Sequence, residues 1–202
     1  FRRVLFRSHV HDYWAIEEWQ GDLAIPTSEL FTDQVISSVD IGLPSTGNAT
    51  IAFSTAGIDR KSSTTRVLTS PIPAEVTPVL TAVQGAVIVN GSVYANITGA
   101  SIKIDCAAAG MGNVLGTQFS PDIQKGVVSV SGQFTAFYEN GALPTLFDNS
   151  TPINIVIVVA NDATGTSNFI SFSMSSVILD GDDKDDGLKG IVRTYPFTAR
   201  MN

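Results

Sequence analysis

The hydrophobic and polar positions alternate most clearly over residues 126–138, GVVSVSGQFTAFY. Val128, Val130, Phe134, Ala136 and Tyr138 share one parity, and Ser129, Ser131, Gln133 and Thr135 the other. A period of two sends successive side chains to opposite faces, so this stretch predicts a half-buried strand. Ile153–Ala160 (INIVIVVA) is a continuous apolar run, and residues 169–174 (FISFSM) alternate again after a turn-rich spacer at 161–168. Three strand signals in succession predict a sheet. Beyond Met174 the parity breaks, because Ile170, Phe172 and Met174 share one phase while Val177 and Leu179 share the other. A bulge at Ser175 and Ser176 would reconcile them.

Weaker patterns fill the rest. Residues 13–20 (YWAIEEWQ) read as a strand ending at Gly21-Asp22, and residues 34–43 and 48–55 as a hairpin joined by Pro44-Ser45-Thr46-Gly47. Residues 59–78 carry three prolines, three cations and many Ser and Thr without periodicity, which predicts a linker or surface arm. Short apolar runs at 86–89 and 93–97 flank Asn90-Gly91, the strongest hairpin signal, because both positions accept positive φ. Residues 100–105 continue as a strand, and 107–116 form a small-residue loop. The one helix expected after that is 141–150 (GALPTLFDNS), with Leu143, Leu146 and Phe147 at i, i+3 and i+4. In the last segment, 191–200 (IVRTYPFTAR), Pro196 confines the strand to an edge or interrupts it. Phe134, Phe137, Phe172 and residues 155–159 are expected to supply most of the deepest burial.

A strand, turn and strand at 35–41 and 49–53 is weakly repeated at 97–104 and 128–137, with chance likeness between Ser/Thr-rich strands as the alternative. The resulting division is a partial β domain at 9–58, a linker or arm at 59–84 and a second, complete β domain at 85–202. Residues 1–8 (FRRVLFRS) hold three of the chain's twelve cations and no acid. They read as a non-native segment on a truncated chain, with a basic arm or a targeting segment as alternatives.

Val, Ile, Thr, Ser and Gly dominate the composition, which reinforces the β reading. A net charge of −7 and a pI near 4.6 disfavour phosphate binding by a basic patch. The single Cys106 excludes an intrachain disulfide, and no apolar run reaches membrane-spanning length. Candidate chemistry is thin. His9 and His11 could face a metal from one side of a strand, but no histidine follows them to complete a nucleophile-and-base arrangement. No catalytic, cofactor or metal residue is therefore assigned, and Asn48, Asn90, Asn96 and Asn149 head glycosylation-type sequons that composition alone explains. The densest charge cluster is Asp180, Asp182, Asp183, Lys184, Asp185, Asp186 and Lys189. It lacks the bidentate Glu of a calcium loop and reads as a solvated, mobile loop that becomes ordered as an assembly contact.

The order of GVVSVSGQFTAFYEN, GALPTLFDNS, INIVIVVANDA, NFISFSMSSVIL and GIVRTYPFTARMN resembles the C-terminal domain of the tail tube proteins of long-tailed bacteriophages. Upstream, YWAIEEWQ, ELFTDQVISSVDIGLPSTGNATIAFS and GAVIVNGSVYANITGASIKID are similar to the earlier part of the same family. The resemblance implies an antiparallel β-sandwich or barrel with a short flanking helix, preceded by part of a similar domain. It implies a virion protein, assembled in the host cytoplasm, whose rings stack into a tube through which the genome leaves. Its partners would be itself, the tape-measure protein and the tail-terminator protein, with DNA passing unbound and no membrane. A carbohydrate-binding or adhesin-type sandwich is the alternative, and would display an aromatic platform, for which Trp14, Trp19 and Tyr94 are the candidates. An enzyme is the third class, disfavoured by the missing acid/base set.

Overall fold

The computed structural model describes residues 13–69, 79–94, 96–112, 114–117, 120–161, 168–185 and 190–200. They are mainly β, a large antiparallel sheet with one short helix among them. In chain order the elements are β1 (Trp14–Gln20), β2 (Thr27–Pro44), β3 (Thr50–Ala56), β4 (Asp59–Ser63), β5 (Thr81–Val89), β6 (Ser92–Tyr94) and β7 (Ile97–Asp105). Then follow β8 (Ala109–Gly110), β9 (Ile123–Gln124), β10 (Ser129–Phe137), α1 (Ala142–Asp148), β11 (Ile153–Ala160), β12 (Phe169–Leu179), β13 (Asp183–Asp185) and β14 (Val192–Ala199). Contacts divide the chain into two compact units, each built from three separate stretches. The sequence-based division, by contrast, is serial.

The larger unit comprises the described parts of Val39–Ala52, Glu75–Asp105 and Val128–Asn202. Its strands run β2, β7, β10, β14, β12, β11, β5, β6, each hydrogen-bonded to the next. β10 lies between β7 and β14, with Gly132 opposite both Ile102 and Phe197. A Cβ at Gly132 would sit 2.3 Å from the Ser101 carbonyl oxygen and 2.6 Å from the Phe197 ring, so only glycine lets that ring cross the strand. The apolar face of β10 and the alternate residues Ile153, Ile155, Ile157 and Val159 of β11 meet one core. There the Phe134 ring packs 5.3 Å from that of Tyr195 and 6.3 Å from that of Phe197.

Several local expectations hold. Ile153 opposes Val177 and Ile155 opposes Met174, so β12 spends one residue more than β11 in that interval, at Ser175 and Ser176. The bulge turns Val177 and Leu179 inward beside the preceding Phe172 and Met174. Asn90 and Gly91 both take positive φ, 49° and 82°, and close the β5–β6 hairpin. Helix α1 buries Leu143 in the core and packs Leu146 and Phe147 against it.

Three expectations fail. Phe137 is 49% exposed, because it shares its face of β10 with Gln133 and Thr135 and not with the buried Phe134. Phe172 is only half-buried, and deep burial falls instead on Tyr195 and Phe197 of β14. Nor does Pro196 make β14 an edge, for the strand pairs with β10 on one side and with β12 and β13 on the other. β12 covers Phe197, Thr198 and Ala199, and β13 covers Val192, Arg193 and Thr194, leaving Tyr195 and Pro196 in the gap. The Pro196 carbonyl accepts from the Asp180 N–H at 2.8 Å on that side. In an extended residue the N and C=O point the same way, so the missing N–H faces the gap and costs no ladder bond.

The smaller unit comprises the described parts of Phe1–Ser38, Phe53–Ala74 and Cys106–Val127. β2 pairs with β1 on one side and with β4 on the other, and Asp33, at φ 55°, marks an irregularity in its register with β1. Among its described residues the core is Val35, Ala108 and Ile123, with Ile58 against them. The expected arm at 59–78 begins as the paired strand β4, residues 64–69 follow without strand pairing, and 70–78 lie outside the described residues. Within the expected loop at 107–116, Ala109 and Gly110 pair with Gln124 and Ile123.

Candidate assembly surface

The acidic segment is tied down over its first half. The Asp180 carboxylate accepts from the Thr198 hydroxyl at 2.6 Å, and Asp183–Asp185 pairs as β13 with residues 192–194 of β14. Between them Asp182 forms an ion pair with Arg193, the two side chains being only 12% and 19% exposed. The Arg193 guanidinium also lies 4.5 Å from the centre of the Tyr138 ring. Burial, reinforced by the Asp182 charge and opposed by Arg193, pushes the Tyr195 hydroxyl up to about 12. Asp180, Asp183, Lys184 and Asp185 are exposed, so charge reaches solvent from an ordered base. The expected mobile loop is thus hydrogen-bonded through Asp185, for a reason no local composition carries: Arg193 and Thr198 come from the following strand. Asp186 and Lys189 lie outside the described residues, as do His9 and His11. Among the described residues no three acidic, histidine or cysteine side chains gather as a metal site.

In the smaller unit a carboxylate unmarked by any motif gathers four partners. Glu17 Oε1 accepts from the Ser28 hydroxyl at 2.5 Å and from the Val67 N–H at 2.7 Å. Oε2 accepts from the Leu68 N–H at 2.8 Å and lies 4.0 Å from Arg66 Nε. The Glu17 side chain is 4% exposed. The Ser28 and Val67 bonds, then Leu68 and Arg66, hold its carboxyl below the usual range against the opposing effect of burial. The sequence pattern places Glu17 only within the expected strand at residues 13–20. Three of its four partners, Arg66, Val67 and Leu68, lie about fifty residues downstream, beyond the reach of any local pattern.

Among its described residues the same unit exposes more large apolar side chains than it buries. Trp14, Ile16, Leu23, Ile25, Phe53 and Leu115 all stand open, Ile25 by 70% and Leu115 completely. Such a surplus of exposed apolar side chains gains by leaving water, which favours association. Trp14 and Trp19, five residues apart on β1, project to opposite faces, so they make no flat aromatic platform for a sugar. What the surface can do chemically is bury itself against protein.

No curated protein matches the chain. A family model described as phage tail tube protein matches residues 10–199. That span gives no support to the expected N-terminal truncation. The chain belongs to the phage tail tube protein family, and is a non-enzymatic structural component of the tail tube in the virion tail.

Proposed function

We propose that copies of this chain close into rings, that the rings stack, and that the stack is the conduit through which the genome is ejected. Family membership implies self-oligomerisation into a tube. The observation that carries the finer reading is the surplus of exposed apolar side chains in the smaller unit, which a lone subunit leaves in water. Strand edges add to it. Among the described residues β1 and β4 each pair with β2 along one side, which leaves a second edge that a neighbouring copy can use.

The acidic segment is the assigned contact between successive rings, through Asp180, Asp182, Asp183, Lys184, Asp185, Asp186 and Lys189. The tape-measure and tail-terminator proteins are the further partners, one within the tube and one at its end. DNA passes without specific binding, because a subunit of charge −7 repels phosphate and releases no counterions on contact. The test is electron microscopy of the purified chain together with filter binding of duplex DNA over a salt series. Rings or tubes without DNA retention are expected. A strictly monomeric chain at high concentration, or salt-sensitive DNA retention, overturns the reading.

A further inference from the structure

The hydrogen bonds shown for the backbone of residues 66–68 end on the carboxylate of Glu17. This strap follows β4, lies outside the strands, and meets β1 at Glu17. We propose that Glu17 is an acid-sensitive latch: its ionised carboxylate holds the strap at residues 66–68 on the β1–β2 pair, and protonation releases the strap while the pair stays folded.

The geometry supports each part. A carboxylate offers lone pairs to several donors at once, and here both oxygens are used, by one hydroxyl and two main-chain N–H groups. A protonated carboxyl would carry a hydrogen where it now accepts, so at least one donor would lose its partner. Among the described residues the charged groups around it are few. Arg66 faces it from the strap. Along its row of the sheet lie Leu30 of β2 and then Lys61 of β4, whose ammonium reaches Asp59 at 4.0 Å. Glu18 and Glu29, opposite one another on the other face, turn away from it, and Arg60 reaches Glu29 at 3.3 Å.

The sign follows from the depressed carboxyl of Glu17. Its contribution is complete above the unfolded value of about 4.3 and disappears as pH falls through the lower folded value. Elsewhere β1 and β2 are held by their own ladder, which no carboxylate completes.

Amide hydrogen exchange on the full chain, kept dilute enough to remain unassociated, tests this. In Glu17→Gln at neutral pH the Val67 and Leu68 amides should exchange about tenfold faster or more, with β2 amides unchanged, since glutamine keeps one acceptor oxygen where two were used. In the wild type the same two amides should lose protection as pH falls through the carboxylate range, before those of β2. Equal protection of Val67 and Leu68 in wild type and Glu17→Gln overturns the latch. If Glu17→Gln does not fold, the wild-type titration decides alone: strap amides opening before β2 amides support the latch, and simultaneous loss overturns it.

Discussion

Three residues apart on β10, Phe134 and Phe137 occupy opposite environments, one fully buried between Tyr195 and Phe197 and the other half in water. The difference is a matter of parity, and it has an energetic consequence. Phe134→Ala should cost about 3 to 5 kcal/mol, because the lost ring leaves a cavity bounded by strands that are paired on both sides and cannot collapse. Phe137→Ala should stay within about 0.5 kcal/mol. Urea unfolding of the two variants checks the contrast, and similar losses for both would mean that the face of β10 is misassigned.

At the scale of elements, what could be read locally was read. The strands β10, β11 and β12, the bulge at Ser175 and Ser176, the Asn90-Gly91 hairpin and helix α1 all follow from periodicity and turn chemistry within a dozen residues. What escaped depends on distant partners. β4 (DRKSS) has no apolar face to betray it, and is held by main-chain pairing to β2. Pro196 argued for an edge, and only the register of β12 and β13 shows that its missing donor falls between them. The docking of the acidic segment rests likewise on Arg193, which comes from the following strand and pairs with Asp182. Removing Arg193 would leave a nearly buried carboxylate uncompensated. Arg193→Ala should therefore cost about 3 kcal/mol, and the Asp182→Ala, Arg193→Ala double variant less than the sum of the two. A double-mutant cycle by thermal unfolding measures it. Strict additivity would show that β13 is held by its ladder with β14 alone.

For the molecule as a whole, charge and apolar surface pull association in opposite directions, and salt separates them. Each copy carries −7, so bringing copies together costs Coulombic repulsion, while the open side chains of the smaller unit, Trp14, Ile25 and Leu115 among them, gain by leaving water. Raising ionic strength from about 0.05 M to about 0.5 M shortens the screening length severalfold and weakens the repulsion while leaving apolar burial intact. Self-association should accordingly tighten with salt. DNA binding by a cationic surface would show the reverse slope, since counterion release is lost as salt rises. Sedimentation velocity across that range distinguishes the two drives in one series. Association that loosens about tenfold would place the main contact in ion pairs between copies, with the exposed aspartates 180, 183 and 185 as the acidic partners, and would remove the apolar surface from its central role.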